Sequence, residues 1–120
     1  MAKTIGIIGT RRRNSHKDLH LVTLKLKELY EDGDTFCSGG CPTGGDSFAD
    51  IIARKTGIPI LIFYAAWNKH GRGAGFKRNT YIAEKSDILI ACVAEDRTGG
   101  TEDTIKKFLK NKPEEALYLV

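Results

Sequence analysis

Two pairs of glycines stand immediately before predicted helices: Gly44-Gly45 in the stretch CSGGCPTGGD and Gly99-Gly100 in the stretch EDRTGGTED. Glycine loses more backbone entropy on folding than any other residue, so such runs are costly unless the backbone requires them. A helix N-terminus offers unpaired N–H groups and a partial positive charge, and glycine lets an anion approach them closely. A lone pair is typical of an ordinary tight turn. Two pairs, with three arginines at 11–13 nearby, favour the binding of an anion such as a phosphate.

The elements that must position these glycines are predicted from the hydrophobic pattern. Short, β-branched apolar runs predict buried parallel strands at 4–9, 34–39, 58–64, 87–94 and 115–120. Apolar residues at three- and four-residue steps predict helices at 15–31, 46–57, 76–85 and 101–111. Strands that alternate with helices predict an α/β, three-layer Rossmann-like fold: a mainly parallel sheet of about five strands with helices on both faces. We expect one domain over residues 1–120.

The glycine-rich and basic segments all follow predicted strands. GTRRRNS follows the first strand, SGGCPTGGD the second, AAWNKHGRGAGFKRN the third and EDRTGGTED the fourth. In a doubly wound sheet, ligands bind beyond the carboxyl ends of the strands, where the strand order reverses. The clustering of these segments therefore predicts that one edge of the sheet binds a ligand.

Composition narrows the class of protein and the compartment. The chain is 41% apolar and 28% charged, which is typical of a soluble globular protein. Its net charge of +4 fits a nucleic acid, a nucleotide or no specific partner. No apolar run approaches the ~20 residues that cross a bilayer, and the N-terminus lacks the pattern of a signal peptide. We expect no membrane contact and a cytoplasmic location.

Cysteine and histidine spacing gives no metal-binding pattern. The cysteines form no CxxC pair, and the histidines supply no paired spacing for zinc; the residues are Cys37, Cys41, Cys92, His16, His20 and His70. We expect reduced cysteines, no metal and no cofactor. A reactive thiol beside the glycine turn, at Cys37 or Cys41, is the less favoured alternative.

Four side chains near the predicted edge have both a functional and a structural interpretation. Arg11 suits bidentate phosphate binding. Asp46 fits the start of a helix, through the helix dipole, as well as it fits ribose binding or acid–base chemistry. Trp67 can stack on a base, but packing over the core is favoured. Arg78 is the best single functional candidate, and its structural alternative is a surface ion pair with Glu84.

The same stretches carry a family resemblance. GIIGTR, SGGCPTGGD, AAWNKHGRGAGFKRN and GGT before the last helix resemble the SLOG superfamily, in particular its small single-domain, cpYpsA-related branch. The resemblance covers nearly the whole chain. It implies the SLOG variant of the Rossmann-like sheet and a nucleotide or nucleotide-derived ligand that is sensed or processed. Other superfamily members resemble sensors of NAD-derived signals or binders of single-stranded DNA, and a DNA-binding module is the third hypothesis.

A more distant resemblance is to the LOG-type phosphoribohydrolases, which release a base from a nucleoside 5′-monophosphate. Their Arg-Lys pair is matched by Arg78, with Asn79 in place of Lys. Their P-G-G-x-G-T-x-x-E pattern is matched at Gly99–Thr101, while Thr104 occupies the position of the final Glu. The resemblance therefore implies nucleotide binding first and nucleoside-monophosphate N-glycosidase activity as the alternative.

Cleavage of an N-glycosidic bond would develop positive charge at the anomeric carbon of the ribose. A carboxylate could stabilise that charge or activate water, with Arg78 orienting the substrate. The predicted catalytic residues are therefore Arg78 and either Glu102 or Asp46, although Glu102 also fits ordinary helix-start chemistry.

Together, these observations predict a set of ligand-binding residues and partners. The residues are Gly9, Thr10, Arg11, Ser38, Gly39, Gly40, Thr43, Gly44, Gly45, Asp46, Trp67, Arg78, Asn79, Gly99, Gly100 and Thr101. A nucleotide or nucleotide-derived small molecule is the expected partner, with nucleic acid less favoured. We also expect a homo-oligomer, because a small domain with apolar helix faces often pairs and the relatives resemble dimers.

Overall fold

One parallel sheet forms the centre of the molecule. The computed structural model describes residues 2–67 and 71–120. Its strands, in chain order, are β1 (Thr4–Gly9), β2 (Thr35–Gly39), β3 (Ile60–Phe63), β4 (Ile88–Cys92) and β5 (Leu117–Leu119). They pair in the order β3-β2-β1-β4-β5, and every neighbouring pair is parallel. The predicted α/β, Rossmann-like fold with a five-stranded sheet is confirmed.

Helices cover both faces of this sheet. In the described residues they are α1 (His16–Leu29), α2 (Gly45–Thr56), α3 (Ala74–Lys85) and α4 (Gly100–Leu109). The first two pack on one face and the last two on the other, which gives the three predicted layers. Short 3-10 turns precede α3, at Gly71–Gly73, and β5, at Glu114–Ala116. The third predicted helix, 76–85, begins two residues earlier than expected.

The central strand β1 contributes side chains to the hydrophobic core on both faces of the sheet. Successive side chains of a strand point to opposite faces, so Ile7 joins the cluster that contains Val22 and Phe48, whereas Ile8 joins the cluster that contains Ile82. Because β1 is apolar on both faces, it occupies the middle of a sheet covered on both sides.

Local signals explain where the helices start and stop. Ser15 caps α1: its Oγ accepts a hydrogen bond from the Asp18 nitrogen at 3.1 Å, and the Asp18 carboxylate accepts one from the Ser15 nitrogen at 3.3 Å. Gly57, with φ of 76°, ends α2 in the left-handed conformation, as the sequence predicts. No helix of the described ranges has both the length and the apolarity needed to span a bilayer.

The strand order reverses between β1 and β4. Chain connections run from β1 through β2 to β3 on one side, and from β4 to β5 on the other. The segments that follow β1 and β4 therefore diverge above the sheet and leave a crevice between them, which is the usual ligand-binding place in such folds.

Candidate functional site

A cavity of about 660 Å³ opens at this carboxyl edge of the sheet. Its wall is built by the segments after β1, β2, β3 and β4, by the middle of α3 and by the starts of α2 and α4. The structure brings together eleven of the predicted residues in this wall: Gly9, Thr10, Arg11, Gly40, Asp46, Trp67, Arg78, Asn79, Gly99, Gly100 and Thr101. The predicted convergence of distant segments on one edge is present.

Six predicted residues do not belong to this wall: Ser38, Gly39, Thr43, Gly44, Gly45 and Glu102. Ser38 lies beneath it and donates hydrogen bonds to the Ile7 carbonyl and to Asp46 Oδ1, the latter at 3.1 Å. The Thr43 hydroxyl lies 3.9 Å from Cys41 Sγ, in the loop before α2. These residues support the wall from outside the cavity.

The two glycines at the start of α2 pack closely against the protein's own main chain. A Cβ on Gly45 would overlap the main chain of Ile8, and one on Gly44 would overlap the Thr10 carbonyl. The Gly44 nitrogen donates to Asn14 Oδ1 at 2.8 Å. The space that side chains would occupy at these two glycines is thus filled by the protein, and close packing explains the glycines themselves. They allow a helix to pack directly on a strand. Phosphate binding at the start of α2 stays a prediction.

The glycines at the start of α4 face open space. Gly99 has a φ of 104°, and a Cβ built on it would meet no atom of residues 2–67 and 71–120 within 4 Å. On Gly100 the nearest atom would be Asn79 Nδ2 at 3.9 Å. Within the described residues, neither the Gly100 nor the Thr101 main-chain nitrogen donates a hydrogen bond. The Gly100 and Thr101 nitrogens at the start of α4 are therefore unpaired in the described chain, beside the cavity wall.

Thr101 adds a side-chain donor at the same place. Its residue is only 8% exposed, yet it lines the cavity. Its hydroxyl makes no hydrogen bond within residues 2–67 and 71–120, and no buried side-chain polar atom there lacks a partner, so the hydroxyl oxygen itself is accessible. A hydroxyl in a cavity wall that makes no internal hydrogen bond keeps its donor and acceptor capacity for a ligand.

Of the three consecutive arginines after β1, two pair with other side chains of the described residues and one, in the cavity wall, pairs with none of them. Arg12 forms a two-point ion pair with Asp96, at 2.9 and 3.0 Å, and donates to Thr98 Oγ1 at 2.9 Å. Arg13 donates to Asp18 Oδ1 at 3.0 Å. Arg11 lines the cavity and makes no hydrogen bond or ion pair with the rest of the described chain. Only Arg11 thus keeps its full hydrogen-bonding capacity for a ligand.

The pairing of Arg12 fixes the loop that leads to α4. Hydrogen bonds from the Arg12 guanidinium and the Thr98 hydroxyl hold the pKa of the Asp96 carboxyl well below its usual range. This clamp joins the segment after β1 to the segment after β4 across the point where the strand order reverses. Thr98, which belongs to this clamp, directly precedes Gly99.

Arg78 reaches into the cavity from α3. Its Nε donates to Asn79 Oδ1 at 3.0 Å. A Cβ added to Gly39 would lie 2.5 Å from Arg78 Nη1 and 2.5 Å from Asp46 Oδ2. The guanidinium and the carboxylate therefore lie on either side of the same small space, within twice that distance of each other. Gly39 thus makes room for an arginine and a carboxylate over the end of β2. The alternative ion pair with Glu84 is not formed in the described part of the chain.

Asp46 is the carboxylate of this cavity. Burial raises its pKa above the ordinary value, and the positive charge of Arg78, with hydrogen bonds from Cys41 and Ser38, limits the rise. The Cys41 nitrogen donates to Oδ2 at 3.3 Å. Asp46 lies in the first turn of α2 and also lines the cavity, so both of its predicted placements hold. A carboxyl with a raised pKa can serve as a proton donor nearer neutral pH.

Glu102 is not part of the cavity wall. Its carboxylate forms a two-point ion pair with Arg97, at 2.7 and 2.9 Å. The structure therefore does not bring Glu102 together with Arg78 or Asp46. Arg97 itself has a positive φ of 53°, at the turn before α4.

Two exposed aromatic side chains stand at the cavity mouth. Trp67 is 59% exposed and lies against Gly75, where a Cβ would be 3.2 Å from its ring. The favoured prediction, packing over the core, is wrong for Trp67. Tyr64 is 72% exposed and lies over Gly40. An exposed aromatic ring beside a polar cavity can stack on a base.

Several cavity residues were missed by sequence reasoning: Ile8, Arg12, Cys41, Pro42, Tyr64, Ala65, Ile82, Thr98 and Thr104. Thr104 follows Gly100 by four residues, so the helical period could have placed it on the cavity face of α4. Tyr64 ends an apolar run, and nothing in the pattern separates it from the strand before it.

No metal centre is formed by the described residues, since no three metal-binding side chains gather there. Residues 68–70 of the predicted segment AAWNKHGRGAGFKRN, including His70, lie outside the described residues. No protein-family model and no curated protein matches the chain.

Proposed function

We propose that the chain binds a nucleotide or nucleotide-derived molecule in this cavity, with its phosphate at the N-terminus of α4. Thr101 carries the proposal, because its hydroxyl belongs to the cavity wall and makes no hydrogen bond within the described residues. Together with the unpaired main-chain nitrogens of Gly100 and Thr101, it supplies the donors that a phosphate oxygen accepts.

The charge around the cavity supports an anionic ligand. Arg11 has no partner in the described chain, and the Nη groups of Arg78 donate no hydrogen bond there. Arg12 is neutralised by Asp96, and among the described residues of the wall Asp46 is the only carboxylate. A planar guanidinium suits the two-point binding of phosphate.

Size and shape support a nucleotide in particular. The cavity volume falls within the range of about 300–1,000 Å³ that small-molecule sites occupy. Trp67 and Tyr64 offer aromatic faces for a base at the mouth. The resemblance to the SLOG superfamily predicts the same ligand class, with sensing or processing as the role. Homo-oligomer formation stays a prediction.

A nucleoside 5′-monophosphate N-glycosidase is the second candidate function. The specific observation that favours it is Asp46, a carboxyl with a raised pKa beside Arg78 in the cavity wall. It could protonate a departing base or position water, whereas Glu102 is engaged by Arg97. Release of free base from a panel of nucleoside monophosphates, abolished by Asp46→Asn, would support this activity. Intact monophosphates after prolonged incubation with folded protein would exclude it.

Thermal unfolding against a ligand panel tests the proposed binding. The panel contains AMP, other nucleoside monophosphates, ADP-ribose, NAD, cyclic nucleotides and a short oligonucleotide. A ligand at 100 times its Kd adds about 2.7 kcal/mol to the native state, which is a visible shift for a small domain. We expect a shift with at least one nucleotide, reduced in Arg11→Gln.

Arg54→Gln is the matched control, because Arg54 lies on α2 and its ion pair in the described part of the chain is with Asp50, away from the cavity wall. It should keep the full shift. A shift with the oligonucleotide alone, with about one unit of salt slope for each phosphate neutralised, would instead support the DNA-binding alternative. No shift with any nucleotide would contradict the proposal.

A further inference from the structure

Asn79 lies between Arg78 and the first turn of α4, which both face the cavity. It is 7% exposed, and both ends of its amide are used. Oδ1 accepts from Arg78 Nε at 3.0 Å, while Nδ2 donates to the Gly100 carbonyl at 3.3 Å and to Asp103 Oδ2 at 3.1 Å. One buried side chain therefore contacts both the arginine of α3 and the first turn of α4.

The contacts behind Asn79 hold its amide in one orientation. Asp103 is paired with Lys107 at 2.8 Å, and the Lys107 ammonium also donates to the Phe76 carbonyl at 2.6 Å. Because Nδ2 is held by two acceptors on α4, Oδ1 must point towards Arg78. Arg78 in turn uses Nε for Asn79 and rests Nη1 against Gly39.

We propose that Asn79 is a positioning residue, which fixes the guanidinium of Arg78 relative to the N-terminus of α4. For nucleotide binding this inference rests on the proposed function: Asn79 would set the spacing between the guanidinium and the helix donors that bind the phosphate. Asn79 was predicted from the sequence to bind the ligand directly. Both donor hydrogens of its amide are already used, and one acceptor position on Oδ1 is left, which cannot donate to a phosphate oxygen.

A double-mutant cycle tests this positioning role without any ligand. The readout is the pKa of the Asp46 carboxyl, measured by NMR, because Arg78 stabilises that carboxylate. Arg78→Met should raise the pKa by about one pH unit or more, since an opposite charge within a few ångströms is lost. Asn79→Ala should raise it by part of that amount. In the Arg78→Met background, Asn79→Ala should change it no further.

Two further variants keep the test decisive. Lys112→Met is the control for general loosening of α3, because Lys112 donates to the Ala83 and Ser86 carbonyls at the other end of that helix. It should leave the Asp46 pKa unchanged. Should Asn79→Ala fail to fold, Asn79→Ser keeps a polar atom at the buried position but is too short to reach Arg78.

The binding of AMP gives the second readout. Asn79→Ala should weaken AMP about tenfold in the wild-type background and less than twofold in the Arg78→Met background. Equal losses of AMP affinity in both backgrounds would overturn the positioning role. So would an Asp46 pKa that does not change in Asn79→Ala. If wild-type protein binds no nucleotide but the pKa cycle is non-additive, the proposed function fails and the positioning role stands.

Discussion

Gly9 and Gly45 pack main chain against main chain: a Cβ on Gly9 would lie 2.9 Å from the Gly45 α-carbon. This contact brings the start of α2 directly onto the end of β1. It places the first turn of α2, with Asp46, at the floor of the cavity. The absence of side chains here serves the joint between helix and strand.

Gly45→Ala should therefore act on stability. The added methyl has no space between two backbones, so we expect the free energy of unfolding to fall by about 1–3 kcal/mol or more. Gly73→Ala is the matched control, because Gly73 has a φ of −74° and an added Cβ would meet no atom of the described residues within 4 Å. Urea denaturation of both variants measures the difference. Equal midpoints for Gly45→Ala and wild type would show that the contact is not as close as described.

Thr101→Val should act on binding and leave stability nearly unchanged. The hydroxyl has no partner among the described residues, so removing it sacrifices no internal hydrogen bond. A hydrogen bond to a charged phosphate contributes about 1.5–3 kcal/mol, which corresponds to an affinity loss of roughly 10- to 100-fold. Calorimetric titration with the nucleotide identified by thermal unfolding measures this loss. The control is Thr23→Val on α1, whose hydroxyl donates to the Leu19 carbonyl; a similar loss there would contradict the assignment.

Asp46 should make nucleotide affinity depend on pH. Its pKa in the folded protein is raised by burial, so the carboxyl gains its negative charge later in a titration than an ordinary Asp does. As the pH rises through that raised pKa, the new charge repels a phosphate and affinity should fall. Affinity measured from pH 4 to 8, for wild type and Asp46→Asn, separates this effect from titration of the phosphate itself. Parallel profiles for the two proteins would refute it.

The same shift has a consequence for stability, with a defined sign. A carboxyl whose folded-state pKa lies above its unfolded-state value binds protons more tightly when folded. Relative to Asp46→Asn, wild type should therefore lose stability as the pH rises between those two values, and the difference should stay constant above them. Unfolding free energies across this range check the sign; a wild type that gains stability relative to the variant would contradict the raised pKa.

Trp67 should report occupancy of the cavity mouth. It is the single tryptophan of the chain, and its ring is largely exposed. If a base stacks on it, AMP should quench its fluorescence, whereas ribose 5-phosphate, which lacks a base, should not. Tyr64→Ala should weaken AMP binding but keep the quenching at saturation. Equal quenching by both ligands would indicate that the base lies elsewhere.

The fold could be predicted from the sequence because its signals are local. Runs such as TIGIIG are apolar on both faces and fit only a central strand of a covered sheet. The capping pattern at Ser15 and the glycine at 57 mark helix ends within a few residues. The carboxyl edge was also predictable, because glycine-rich segments follow successive strands.

The roles of single side chains were less predictable, because they depend on contacts between distant segments. The two glycine pairs look alike in sequence, but only Gly45 meets a neighbouring strand. Glu102 and Asp46 both lie in the first turn of a helix. Glu102 forms an ion pair with Arg97, whereas Asp46 lines the cavity. The partners that decide these outcomes lie many residues away or in a turn with no characteristic pattern.

The most direct test of the phosphate site is a titration of the 15N-labelled protein with AMP, followed through its amide resonances. We predict that the Gly100 and Thr101 amides shift most, because their N–H groups at the start of α4 would bind the phosphate. The Gly44 amide, already bonded to Asn14, should shift little. Large shifts at the start of α2 with none at Gly100 and Thr101 would contradict the site proposed for the phosphate.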